Sequence, residues 1–180
     1  VMIAAGVPQK NIIMIDSKGI LHANRKDIEA VKEEWKYKWD MCINSNGECR
    51  EGGIMEGVKD TDMVIAASKP GPGVILQEHV RAMSDNAIVF ACANPVPEIW
   101  PWEAKEAGAK VIATGRSDFP NQVNNSLGFP GIFRGTLDVN AVTISDTMVI
   151  AAAKELAKTA EDNGLRPDYV VPNMDEWEVF

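Results

Sequence analysis

Two apolar patterns alternate along this chain: short unbroken runs, and longer stretches in which apolar residues recur three and four positions apart. The unbroken runs cover residues 11–16 (Ile12, Ile13, Met14 and Ile15, closed by Asp16), 63–67, 88–93 and 110–114. Runs of this length predict strands buried on both faces of a parallel sheet. The periodic stretches between them predict helices. One is capped by Asn24 and carries Ile28, Val31, Trp35 and Trp39 on one face; short ones lie around residues 54–58, 76–83 and 102–107. A long one runs from Ser145 to near Gly164, with Met148, Ala152, Leu156 and Ala160 as its apolar stripe and Pro167 just beyond. Val1 to Gly6 reads as a helix end with a glycine cap, residues 42–53 as a polar loop, and residues 168–180 as an irregular, surface-bound tail. Strand and helix in strict alternation predict right-handed βαβ units. The fold class is therefore α/β, a Rossmann-type parallel sheet with flanking helices, organised as one domain over residues 1–163 followed by a C-terminal tail, 164–180.

Ligands of open parallel sheets bind outside the carboxyl ends of the strands. Each predicted strand ends in residues suited to that role: Asp16 and Ser17, Ser68 and Lys69, Asn94 before Pro95, and Gly115, Arg116, Ser117 and Asp118. A carboxylate at the end of the second strand of a dinucleotide fold accepts hydrogen bonds from the adenosine ribose, and its charge repels a 2′-phosphate. Asp16 fits that position, although Asp16-Ser17-Lys18-Gly19 also has ordinary turn chemistry. The glycine fingerprint of such folds lies about 20 residues before the acid. No GxGxxG occurs in the chain, and counting back from Asp16 runs off its beginning, so the first strand and its Gly-rich loop are expected upstream of Val1.

An amide at Asn94, at a strand tip, can both donate to and accept from a nicotinamide ribose, a substrate hydroxyl or a carboxylate. The densest polar cluster is Asn121, Gln122, Asn124 and Asn125, which opens an apolar segment. Buried amides are costly unless paired, so a polar ligand accounts for them; a capped helix start is the alternative.

Three stretches together, Asp16-Ser17-Lys18-Gly19, Ala93-Asn94-Pro95-Val96-Pro97-Glu98-Ile99 and residues 115–135, resemble the malic enzymes, especially the smaller prokaryotic-type ones. The likeness runs from Ile3 to about Ala160 and weakens over residues 36–50 and in the tail. It implies oxidative decarboxylation of (S)-malate to pyruvate and CO2 with reduction of NAD or NADP, Mg or Mn in the complete enzyme, and a homodimer or higher homo-oligomer. Strand-end position and the matched motifs together make Asp16, Ser17, Ser68, Lys69 and Asn94 the cofactor-binding candidates, and Asn94, Asn124 and Asn125 the substrate-binding ones. The family's catalytic tyrosine and lysine and its acidic metal ligands belong to segments upstream of the part matched. No catalytic residue or metal ligand is therefore assigned: Tyr37 and Tyr169 lie outside the matched motifs, and Asp118 and Glu98 belong to no recognisable metal constellation. Asp16 favours NAD, while Lys18, Arg25 and Lys26 can offset repulsion of a 2′-phosphate and leave NADP open.

Composition narrows the picture further. A formal net charge of −8 speaks against a nucleic-acid or anionic-membrane surface. The apolar runs are strand-length, far short of a bilayer span, and the start has no basic leader. Cys42, Cys49 and Cys92 are odd in number and lack CxxC spacing, which speaks against a disulfide framework or zinc site and fits a reducing, cytoplasmic setting. Cys92 is expected as a small core hydrophobe, and His22 and His79 as isolated surface or helix residues. Two other readings stay open: another Rossmann-type hydroxy-acid or amino-acid dehydrogenase, against which residues 124–131 speak, and a non-catalytic nucleotide- or protein-binding module. If the first strand lies outside this chain, the sheet is expected to expose an edge and the chain alone to be unstable or aggregation-prone.

Overall fold

The computed structural model describes residues 1–176. A hairpin, β1 (Ile15–Asp16) and β2 (Gly19–Ile20), is followed by helices α1 (Lys26–Glu29), α2 (Lys36–Asn44) and α3 (Ile54–Val58). Then come β3 (Met63–Ala66), α4 (Gln77–Arg81), β4 (Ile88–Ala91), α5 (Pro101–Glu106) and β5 (Val111–Thr114), and finally α6 (Phe129–Asp138) and α7 (Asp146–Asp162). β3, β4 and β5 form a parallel sheet in that order, in which Val64 pairs Val89 and Val89 pairs Ile112. This is the Rossmann-type arrangement with flanking helices. One face of the sheet (Val64, Ala66, Val89, Ala91, Ile112) packs on Val58, Val80, Ile99, Ala104 and Ala107, which come from α3, α4, α5 and the adjoining loops.

The opposite face is barely covered at its β3 edge, where Met63 is 36% and Ile65 49% exposed. An uncovered apolar edge strand invites pairing with another chain. Light scattering is expected to rise with protein concentration, and Ile65→Lys to suppress that rise; identical scattering from both proteins would remove the edge as the cause.

The first apolar run departs from expectation. Only Ile15–Asp16 is strand, paired antiparallel with Gly19–Ile20 rather than joined to the parallel sheet, and Met14 is exposed. Local turn chemistry overrides the apolar run here. Lys18 N donates to Asp16 Oδ1 at 2.9 Å, Gly19 turns the chain at φ +119°, and Leu21 N reaches Met14 O at 2.8 Å. Gly19 is also pressed against the Gly52 carbonyl, where a side chain has no room.

The helix expected after Asn24 is broken into α1 and α2, with Arg25 rather than Asn24 at the N-cap. Asn24 instead donates to Glu51 Oε1 at 3.1 Å. Of its proposed stripe, Ile28 is buried with Leu21 and Cys42 and Trp39 packs beside them, while Val31 and Trp35 are exposed. A helix draws most of its stability from a buried face, and this stripe has a core to meet only at its two ends. The loop after α2 begins at Ser45, and Asn46 holds it by donating to Leu21 O and Arg50 O and accepting from Arg50 N.

His79 is a helix residue of α4, as expected, but a buried one. It is 9% exposed, and its Nδ1 accepts from Leu76 N at 3.1 Å, closing the first turn of α4. Burial pushes its pKa below the ordinary histidine range, against the opposing pull of Glu78 and Glu56. The unfolded chain therefore takes up this proton more readily than the folded one, and stability present above the ordinary histidine range is lost as pH falls through and below it. The carboxylates with lowered pKa, Asp16 and Asp27 among them, give up their contribution only at more acidic pH. The urea midpoint is expected to fall between pH 7 and pH 5, and His79→Asn, which keeps an acceptor for Leu76 N, to flatten that limb; an unchanged slope would contradict the assignment.

Ser145 Oγ accepts from Met148 N at the start of α7, whose stripe Met148, Ala152 and Leu156 is half-buried and Ala160 fully buried. The segment after Gly164 is irregular yet anchored: Tyr169 and Pro172 are buried, and Tyr169 donates its hydroxyl to Glu176 at 2.6 Å. Residues 177–180 of the expected tail lie outside the described residues.

Candidate functional site

The three sheet strands point their carboxyl ends the same way, because all are parallel. β3 leads to Ser68 and Lys69, both exposed; β4 leads to Asn94, exposed, before a cis peptide to Pro95; β5 leads to Gly115 and Arg116. Beyond β5 the chain stays beside it, with Thr114 bridged to Gln122 and Val123 N donating to Thr114 O at 2.8 Å. That pairing brings Asn124 and Asn125 to the same end of the sheet.

The Asn94 carboxamide lies directly over Gly115. A methyl group there would come within 2.8 Å of Asn94 Nδ2 and 3.0 Å of Oδ1. Arg116 fixes the neighbouring backbone by donating to Pro95 O at 2.9 Å and gripping Asp118 through Nε and Nη2, both at 2.8 Å. Its guanidinium also stands 5.8 Å from the rings of Trp100 and Phe119, and Trp100 stacks on Trp102 at 4.8 Å. Arg116 pulls the Asp118 carboxyl below the usual carboxylate range. Between Ser68 and Gly73 the backbone has room: Gly71 (φ +121°) and Gly73 (φ +99°) have nothing within 4 Å of where a Cβ would stand.

The asparagine cluster splits by role. Asn121 is a structural residue: it is 3% exposed, donates Nδ2 to Ile112 O (3.0 Å) and Pro167 O (2.8 Å), and accepts from Val170 N (2.8 Å). No ligand is needed to explain it, which corrects the expectation that the cluster as a whole addresses one. Asn124 is exposed and accepts from Ser126 N and Oγ, capping the 3-10 turn Asn125–Leu127. Asn125 is exposed at the first position of that turn.

Asp16 and Ser17 stand apart from the sheet, on the hairpin. Asp16 accepts from Arg25 (3.1 and 3.0 Å) and pairs with Lys38 Nζ at 2.6 Å. Burial alone would raise its pKa, but Arg25, Lys38 and the Lys18 amide outweigh it and hold the carboxyl well below the usual range. Its charge is thus permanent and largely countered. Lys18 and Arg25 also pair with Asp27.

Sequence reasoning overlooked the part played by Glu98. It is fully buried, with Oε1 accepting from Ser68 N (2.7 Å) and Ser68 Oγ (3.0 Å) and Oε2 from Ala93 N (3.0 Å). A glutamate enclosed by Pro95, Pro97, Ile99 and Trp100 was the available signal, since an acid in an apolar stretch is buried only when paired. Cys92 is half-buried beside it, and burial raises its thiol pKa, so it rests protonated. A separate concavity is lined by Lys32, Lys36, Trp39 and Ile43, on α2 and the segment before it.

Polar groups on three strand ends, with open glycine backbone between them, fit a dinucleotide. They do not fit a divalent cation: among the described residues no three His, Cys, Asp or Glu side chains cluster closely enough to hold one. No helix of the described residues is long and apolar enough to cross a membrane.

The model of the malic enzyme NAD-binding domain matches residues 3–179. The NADP-dependent malic enzyme of Halomonas elongata is 42% identical over 89% of this chain and 36% of that protein. The NAD-dependent malic enzyme of Geobacillus stearothermophilus is 39% identical over 97% of this chain and 34% of its own length. Among solved structures, Entamoeba histolytica malic enzyme superposes with a TM-score of 0.94 at 49% identity, over 99% of this chain and 36% of that one. The chain thus spans little more than a third of the length of these relatives.

Proposed function

Because the chain belongs to the family of malic enzyme NAD-binding domains, we propose that it forms the dinucleotide site and supplies substrate-holding amides of an enzyme that oxidises (S)-malate to pyruvate and CO2 while reducing NAD or NADP. The observation that carries this reading is the convergence of Ser68, Lys69, Asn94, Asn124 and Asn125 at the carboxyl ends of three parallel strands. A bound dinucleotide would supply the acceptor for the hydride that leaves the hydroxyl-bearing carbon of the substrate. The chain's own residues bind and orient. Asn94 would hold the nicotinamide ribose and the substrate hydroxyl, and Asn125 the substrate carboxylate, on a turn that Asn124 caps. Lys69 and the backbone around Ser68 would hold the cofactor's phosphates and riboses, with the Ser68 hydroxyl tied to Glu98. No step is assigned to a metal, and no proton-transfer residue to this chain.

Asp16 and Ser17 would meet the adenosine ribose, which favours NAD. The neutralising partners Arg25 and Lys38 keep that preference small. Lys38→Met, which leaves Asp16 with one cation fewer, is expected to raise the preference for NAD over NADP roughly fivefold, the scale of one partly exposed ion pair. Equal kcat/KM ratios in variant and parent would exclude a role for this charge pair.

Residues 1–163 act as the dinucleotide-binding unit with 164–180 as its tail, and malate and pyruvate are the small-molecule ligands. A homodimer or higher assembly is supported by the exposed Phe129, Phe133 and Leu137 of α6. A cytoplasmic setting is supported by the three unpaired thiols, and the net charge of −8 speaks against nucleic acid as a ligand. The deciding experiment is malate-dependent reduction of NAD and of NADP by the protein carrying this chain, together with direct dinucleotide binding. Binding without turnover would keep the cofactor half of the reading and remove the substrate half; no binding would remove both.

A further inference from the structure

We infer that Glu98 is a positioning residue that ties the two strand ends flanking the dinucleotide into one unit, an inference that rests on the function proposed above. Its carboxylate lies between the segments that follow the two strands and is fully buried. One oxygen takes the amide and hydroxyl of Ser68, at the end of β3; the other takes the amide of Ala93, next to Asn94 at the end of β4. Its backbone carbonyl accepts from Gly73 N at 3.1 Å and Ile75 N at 3.3 Å, so the far side of the β3 loop is held by the same residue.

All of these partners are neutral donors. A buried carboxylate with neutral donors on both oxygens is an acceptor-only hub, and it suits this place because every group converging on it gives a hydrogen. Parallel neighbours β3 and β4 are hydrogen-bonded to each other only as far as Ala66, whose carbonyl accepts from Cys92 N. Beyond that point the ladder between them ends, and the amides of Ser68 and Ala93 turn to the Glu98 carboxylate instead. Glu98 replaces the missing ladder. Ser68 and Asn94 therefore cannot move independently, and cofactor and substrate contacts are coupled through a residue that touches neither.

Glu98→Gln tests this with little change of volume. Whichever way its amide turns, an NH2 group faces a donor, either Ala93 N or Ser68 N. The full-length protein carrying Glu98→Gln is expected to bind NAD about tenfold more weakly and to show KM for malate raised by a similar factor, measured well below its unfolding midpoint. Backbone amide exchange at Ser68 and Ala93 is expected to quicken by about tenfold or more. Ser68→Ala, which removes one of the three donors to Glu98 and leaves the two amides, is expected to weaken NAD binding about twofold alone and to add nothing in the Glu98→Gln background. Unchanged exchange at both amides overturns the tie. Faster exchange with parental NAD affinity and malate KM overturns its part in positioning, leaving Glu98 a structural residue. Should the unmutated protein bind neither NAD nor NADP, the functional reading fails and the positioning role falls with it, a result distinguishable because it appears before any substitution is made.

Discussion

Asn121→Ala is expected to lower the unfolding free energy by about 3 kcal/mol. Three hydrogen bonds meet on this one side chain: two donated to the carbonyls of Ile112 and Pro167, one accepted from Val170 N. Removing a buried partner leaves those groups unpaired, at about 1 kcal/mol or more each. The backbone adds to the cost, since Asn121 sits at φ +54°, a region asparagine tolerates and alanine resists by about 1 kcal/mol. Asn121→Asp should be worse still, because it turns an oxygen towards two carbonyl oxygens in a buried place. Urea unfolding followed by tryptophan fluorescence measures both. A loss under about 1 kcal/mol for Asn121→Ala would mean that the segment around Val170 is not anchored as described.

The second large effect concerns activity with little cost in stability. Gly115→Ala is expected to reduce kcat/KM for malate about a hundredfold while leaving the unfolding midpoint nearly unchanged. Gly115 has no left-handed φ, so alanine is acceptable to its backbone. The conflict lies with Asn94, whose carboxamide nitrogen would stand 2.8 Å from the new methyl. A side-chain amide can swing away cheaply, and in doing so it leaves the position from which it would hold ribose and substrate. Displacement of a positioning group by about 1 Å is enough for a loss of this size. Asn94→Ala should be at least as damaging, and Gly115→Ala should add almost nothing to it, because the glycine acts only through that amide. Activity of Gly115→Ala within about threefold of the parent would remove Asn94 from the reaction.

These expectations show where sequence and structure part company. The rhythm of β3, α4, β4, α5 and β5 was legible because each strand is a short apolar run and each helix a short periodic stretch, and a parallel sheet requires both. The strand-end positions of Ser68, Asn94 and Gly115 followed directly, since parallel strands place their carboxyl ends together. The hairpin at Asp16 was misread as a sheet strand. Apolar content alone cannot distinguish a buried sheet strand from a partly exposed turn, and Gly19 decided the matter through its backbone.

What the amino-acid sequence determined by itself is the α/β class, the order of the sheet-forming elements, the crevice end of the sheet and the family, all properties of local pattern or contiguous motif. What only the tertiary structure decided is which polar residues serve the fold and which face outward. Asn121 and Asn124 are three positions apart and identical in type, yet one is sealed between Ile112 and Pro167 while the other is exposed. Glu98 became a tie between strands because Ser68, thirty positions away, was brought to it, and Asp16 acquired its two cations from the following loop and from α2. Burial and hydrogen-bond partnership depend on residues distant in the chain, and a side chain carries no mark of its partners until folding assembles them.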